Sequence, residues 1–167
     1  MKLLKTSLLA MVLLFTVASC TKDEDVVSDE ANYSIDVNLA KETDWQMANE
    51  ILDLINEHRN SLGLRTITRD QQYASAYAVE HTKYMIGLNK INHDNFSTRS
   101  SALKDRGASS VAENVAMGYS SAESVVNAWL HSPTHKNVIE GNYTHSGFGV
   151  MQNSSGRYYF TQIFYKK

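Results

Sequence analysis

Three titratable residues could support chemistry if folding brings them together: His93, Glu113 and His135. His93 lies in a polar stretch beside Asp94, and Glu113 lies among apolar neighbours that would draw it inward. Two imidazoles and a carboxylate in one cleft could bind a divalent metal such as zinc, or act as general acid and base. Since no two of them have the spacing of a known metal motif, a buried hydrogen-bond network that fastens loops to helices is the alternative.

Other reaction classes lack their motifs. The sequence contains no G-x-S-x-G, no P-loop and no G-x-G-x-x-G. The remaining histidines are scattered, and we interpret them as surface or rim residues: His58, His81, His131 and His145. The chain has one cysteine, Cys20, so an intrachain disulfide is excluded and the fold must be held by packing.

The N-terminus predicts export. Two lysines, an apolar run from Leu8 to Val17 and small residues before Cys20 are typical of a secretory signal peptide over residues 1–19. The apolar run is too short to cross a bilayer. The residues that end at Cys20 resemble the lipobox of bacterial lipoproteins, which implies cleavage before Cys20 and a lipid anchor in the membrane. An ordinary signal peptide with a chance cysteine is the alternative.

Residues 20–40 are interpreted as the lipidated cysteine and an acidic tether. Six of the 18 acidic residues lie between Asp23 and Asp36, among few large apolar residues. The acids just after Cys20 resemble a signal that exports some lipoproteins to the outer face of the outer membrane, although a plain acidic linker explains the charges as well. Beyond Asp36 the charges nearly balance, so the chain lacks the positive excess of a nucleic-acid binder.

Residues 41–167 show the pattern of one domain with helices first and a hairpin last. Capping boxes predict helix starts at Thr43, Thr68 and Ser120. The first helix should run to about Ser61, and the second should carry an aromatic stripe to about Gly87. The remaining predicted elements are a short helix at 97–106, a helix begun by Ser132 and Pro133, and strands at 146–152 and 157–166. The pattern indicates an α+β class.

The residues around the three candidates carry a family resemblance. Glu113-Asn114-Val115-Ala116, the stretch from Ala122 to Trp129, the stretch from Ser132 to Ile139 and the closing strands are similar in order and spacing to the CAP superfamily of cysteine-rich secretory, antigen 5 and pathogenesis-related proteins, in its bacterial branch. The resemblance implies a three-layer α-β-α sandwich around a small antiparallel sheet, with a His/Glu-lined cleft.

The resemblance also suggests which residues line the cleft. Family positions carry over to His93, Glu113 and His135, whereas the second family Glu is replaced here by Ser132. We therefore expect a lipid-anchored, extracytoplasmic binding module for a lipid, glycan or protein ligand, exposed at the cell surface if the export signal acts. The alternative is a metal-dependent hydrolase with Glu113 as its catalytic base and metal on His93 and His135.

Overall fold

The computed structural model describes residues 34–167. The predicted signal peptide and Cys20 lie outside this range. The helices and strands run in the order 3-10 helix Val37–Glu42, α1 Trp45–Ser61, β1 Thr68–Arg69, α2 Tyr73–Leu88, α3 Phe96–Lys104, β2 Ser110–Met117, α4 Ala122–His131, α5 Pro133–Ile139, β3 His145–Gln152 and β4 Tyr158–Lys166.

Within the described range, the strands form one sheet in the order β1-β3-β4-β2. The three long strands are antiparallel, and the terminal hairpin predicted this pairing for β3 and β4. The two-residue β1 adds a parallel edge beside β3 that the sequence did not predict. The strand β2 was also missed, and among the described strands it pairs with β4 alone. Glu113 therefore lies in an edge strand.

Helices cover both faces of the sheet, so the predicted α-β-α sandwich is confirmed. Alternate residues of β4 divide between the two layers, because successive side chains of a strand point to opposite faces. Phe160 and Phe164 join the core under α1, α4 and α5, while Ile163 and Tyr165 join the core under α2 and α3. The second core also contains Ile35, which lies in the segment interpreted as the tether.

The predicted helix starts need correction. The side chain of Asp44, not Thr43, caps α1 by accepting a hydrogen bond from the Met47 amide. Thr43 instead bonds across to β3, donating to the Phe148 carbonyl oxygen at 2.7 Å and accepting from the Val150 amide at 3.1 Å. The Thr43 hydroxyl, which the local sequence predicted to cap α1, thus bonds to the strand β3 instead.

The other two predicted capping boxes are also displaced. Thr68 belongs to β1, and α2 begins only after Gln72. At α4 the cap is Ser121, with Ser124 returning the reciprocal bond, rather than Ser120. Ser132 does precede α5 as predicted, but its side chain makes no capping hydrogen bond.

Close backbone packing joins α2 to β3. The face of α2 toward the sheet consists largely of small residues, and the predicted aromatic stripe is wrong in part because Tyr73 and Tyr84 are exposed. A methyl group built on Gly147 would lie 2.3 Å from the carbonyl carbon of Ala74. Since a contact that short requires backbone movement, glycine in β3 is what lets the helix lie directly on the sheet.

Candidate functional site

Glu113 is the buried anchor of the candidate site. It faces α2 and α3 from the edge strand β2, and it meets the guanidinium of Arg99 from α3. Arg99 donates through Nε to Oε2 and through Nη2 to Oε1, both at 2.9 Å. Both side chains are almost fully buried, so this is a paired charge in a low-dielectric environment, and removal of either partner would leave the other uncompensated.

His93 binds the same carboxylate from the opposite, solvent-facing side. Its Nδ1 lies 2.9 Å from Glu113 Oε1, and the imidazole is 52% exposed whereas the carboxylate is 1% exposed. Because Arg99 holds Glu113 as an acceptor, the shared proton belongs on Nδ1 of His93. In the neutral tautomer that carries this proton, Nε2 of His93 has a lone pair available to a ligand.

Two buried side chains fasten the loop that carries His93. His81 Nε2 lies 2.8 Å from the Asn92 carbonyl oxygen, and Arg99 Nη1 donates to the Asp94 carbonyl oxygen at 2.7 Å. The backbone on either side of His93 is therefore tied to α2 and α3. This arrangement fixes the direction in which the imidazole points.

His81 was interpreted as a surface or rim residue, and that prediction is wrong. It is buried in α2, and its Nε2 lies 3.9 Å from Glu113 Oε1. Burial lowers the pKa of its imidazole below the ordinary value, and the positive charge of Arg99 lowers that pKa further. Its tie to Asn92 indicates a positioning role for a neutral imidazole.

His135 joins the group indirectly, from the other side of β2. Asn114, the neighbour of Glu113 in the strand, points to α5 and donates through Nδ2 to the His135 carbonyl oxygen at 3.3 Å. Burial lowers the pKa of the His135 imidazole, and the charge that His93 can carry lowers it further. The half-buried Ser132 precedes the same helix. The three predicted candidates thus flank one strand edge, but only His93 and Glu113 share a hydrogen bond.

Buried polar atoms without partners in the described part of the chain lie on this α5 side. They are Asn114 Oδ1, Gln162 Oε1 and His135 Nδ1. Asn114 and Gln162 are direct cross-strand partners, so their side chains are neighbours on one face. Buried acceptors of this kind are usually satisfied by an internal water molecule.

A zinc ion fits this donor set poorly. Catalytic zinc sites use three protein ligands, and residues 34–167 contain no group of three or more His, Cys, Asp or Glu side chains arranged to hold a metal. Both oxygens of Glu113 are already bound by Arg99, and Ser132 stands where the CAP resemblance implies a second Glu. We therefore derive no step through a metal at His93 and His135.

Cavities lie elsewhere on the domain. One of about 610 Å³ lies at the start of α2, one of about 350 Å³ lies between α1 and α4, and one of about 520 Å³ lies beside the β3–β4 turn. None of these three is lined by His93, Glu113 or His135. The imidazole site, formed by His93, Glu113 and His135 around the edge strand β2, is thus not one of these three cavities.

Residues 52–164 match the cysteine-rich secretory protein family, CAP. The match covers most of the chain, and the chain belongs to this family. An uncharacterized protein of Bacillus subtilis, YkwD, is 29% identical over 111 residues, which are 64% of this chain and 43% of that protein. The chain therefore spans less than half of that relative.

Solved structures show the same fold. An outer surface protein of Borrelia burgdorferi superposes with a TM-score of 0.66 at 23% identity, over 73% of this chain and 93% of its own. An extracellular protein of Bacillus anthracis that contains an SCP domain superposes with a TM-score of 0.60 at 27% identity, over 75% of this chain and 44% of its own. Among residues 34–167, no helix combines the length and apolar character needed to span a membrane.

Proposed function

We propose that this chain is a lipid-anchored, extracytoplasmic CAP-domain protein that acts as a binding module. The surface around His93, Glu113, Ser132 and His135 would receive a lipid, glycan or protein ligand. Its family and the outer-surface and extracellular proteins of similar fold support a place outside the cytoplasm. The residues that end at Cys20 resemble a lipobox, and this resemblance, with the acids that follow, supports an outer-membrane anchor and exposure at the cell surface.

The observation that carries the binding role is the state of Glu113. Its carboxylate accepts two bonds from Arg99 and one from His93, and its side chain is buried. A general base must lie within hydrogen-bond reach of the proton that it removes, and a side chain with 1% exposure gives a substrate little access. This carboxylate instead orients His93, whose exposed ring can form a hydrogen bond with a ligand through Nε2.

The hydrolase alternative requires Glu113 to take a proton from water, and the hydrogen bonds just described oppose that step. A direct test is hydrolysis of a p-nitrophenyl ester by the full chain, purified in mild detergent, beside its Glu113→Gln variant. We expect no difference in rate between the two proteins. Hydrolysis that Glu113→Gln abolishes while the variant stays folded would overturn the binding proposal in favour of an enzyme.

Ligand binding is tested on protein extracted from its own membranes. Native mass spectrometry of the full chain should show a non-covalent adduct that His93→Ala and His135→Ala each lose. His131→Ala is the matched control, because His131 is exposed and its Nδ1 contacts the Asn127 carbonyl oxygen of its own helix. Failure to find an adduct, or an adduct retained by all variants, would contradict a ligand at this surface.

The anchor is tested separately. Mass spectrometry of the membrane-derived protein should place a lipid on Cys20, and Cys20→Ser should release the protein from the membrane fraction. Protease added to intact cells should degrade a surface-exposed domain. If Cys20 carries no lipid and the protein is absent from the membrane fraction, the anchor is refuted. That result would not affect the binding role, which the native mass spectrometry tests separately.

A further inference from the structure

A second concave surface lies at the opposite end of the sheet from the β3–β4 turn, at the start of α2. It is a cleft of about 610 Å³ between that helix end, the end of α3 and the ends of β3 and β4. This volume is in the range of small-molecule sites. The cleft shares no lining residue with the imidazole site, so a ligand here would be independent of the proposed function.

The basic side chains of the cleft are Arg69, Arg106 and Lys167. Arg69 is already engaged, because its guanidinium lies over the Trp45 ring and donates to Asn49. Arg106 and Lys167 are exposed, and neither forms an ion pair with any carboxylate in residues 34–167. Two positive charges therefore face the cleft without an acidic partner from the described part of the chain.

The acid in the cleft, Asp70, does not cancel these charges by pairing with them. Its Oδ1 accepts from the Gln72 amide at 2.7 Å, and its Oδ2 accepts from the Tyr165 hydroxyl at 2.8 Å and from the Ala74 amide at 3.4 Å. The carboxylate is thereby committed to holding the start of α2 against β4. Asp70 still lines the cleft, but its oxygens are bonded to the helix start and to Tyr165, and Arg106 and Lys167 are the charged groups that remain without an ion-pair partner among the described residues.

Aromatic rings complete the cleft. The Arg106 guanidinium lies 4.3 Å from the centre of the Tyr73 ring, and Tyr73 is 38% exposed. The His145 imidazole stacks on the Tyr165 ring at 5.0 Å. Arg106 also donates to the Ala102 carbonyl oxygen, so its stacked guanidinium is held in place before any ligand arrives.

We propose that this cleft binds an acidic saccharide, with its carboxylate on Arg106 and Lys167 and its ring against the part of Tyr73 that Arg106 leaves exposed. A guanidinium held over a ring presents its remaining donors as a planar fork, which matches a carboxylate. The flat apolar face of a sugar ring suits an exposed tyrosine beside that charge. The cleft volume accommodates one or two sugar rings.

The test is a nuclear magnetic resonance titration of the full chain in mild detergent with glucuronate. Amide signals of the cleft residues should shift, and Arg106→Gln and Lys167→Gln should each weaken binding by about tenfold. Arg157→Gln is the control with the same charge change, because Arg157 is exposed in the cavity beside the β3–β4 turn. It should change the affinity by less than about twofold.

Two further probes separate the contributions of charge and ring. Glucose should bind much more weakly than glucuronate, because it lacks the carboxylate. Inorganic phosphate should also bind more weakly, because it lacks the ring. The proposal is overturned if glucuronate shifts no cleft signal, if glucose or phosphate binds as tightly as glucuronate, or if Arg106→Gln and Lys167→Gln bind like Arg157→Gln.

Discussion

Replacement of Arg99 by methionine should strongly destabilise the domain. The substitution keeps most of the side-chain volume but removes both donors to Glu113 and the donor to the Asp94 carbonyl oxygen. Glu113 then stays buried without its countercharge. Breaking a buried pair in this way lowers the free energy of unfolding by about 3–5 kcal/mol. For a domain of this size, that corresponds to a fall in melting temperature on the order of 10 °C.

Urea unfolding followed by tryptophan fluorescence measures this loss, because Trp129 is buried in the core. Arg157→Met is the matched control, since Arg157 is exposed, and it should change stability by less than about 0.5 kcal/mol. The double variant Arg99→Met with Glu113→Leu should recover much of the loss, because it leaves neither charge buried alone. Equal stability of Arg99→Met and Arg157→Met would refute the reasoning.

Three further predictions use the same unfolding assay. Gly147→Ala should destabilise by about 1–3 kcal/mol because its methyl group meets the backbone of α2, whereas Gly87→Ala, with open space around it, should stabilise by about 0.5 kcal/mol; similar effects at both positions would contradict the close packing. Thr43→Val should lower the free energy of unfolding by about 2 kcal/mol because it unpairs two backbone groups of β3. Loss of the Asp44 cap should lower it by only ~1 kcal/mol. A larger loss from the Asp44 change than from Thr43→Val would contradict this assignment of the two side chains. Because burial lowers the pKa of His81 below its ordinary value of 6.5, the unfolded chain takes up a proton that the folded chain resists, so stability should fall as the pH drops below about 6.5. His81→Gln should lose less stability over that pH interval, and an unchanged pH dependence would rule out this contribution.

The terminal hairpin was predictable because its signal is local. Alternating large residues in β4 and a polar turn before it determine which side chains face each layer, and the structure follows that alternation. The inward position of Glu113 was predictable for the same reason, since its neighbours are apolar. The strand β2 was missed because its centre is the polar pair Glu113-Asn114, which breaks the apolar alternation of a strand.

The partners of Glu113 were not predictable from local sequence. Arg99 lies on a short polar helix, where an arginine is normally solvated, and only the fold supplies a carboxylate 14 residues away. His81 was wrongly predicted for the same reason, because its burial depends on the loop that folds over it. The displaced capping boxes have a related cause, as Thr43 shows: its hydroxyl bonds to a strand 105 residues further along the chain.

The position of the proton on the His93 ring tests the central claim most directly. A Glu113 carboxylate that orients His93 requires a proton on Nδ1, whereas a Glu113 that serves as a catalytic base does not. Long-range proton–nitrogen spectra of the histidine side chains, recorded on the full chain near neutral pH, distinguish the two neutral tautomers. With Glu113 held by Arg99, the neutral form of the His93 ring should carry its proton on Nδ1 rather than on Nε2, and Glu113→Gln should remove this preference. A His93 protonated on Nε2 alone in the unaltered protein would contradict the account.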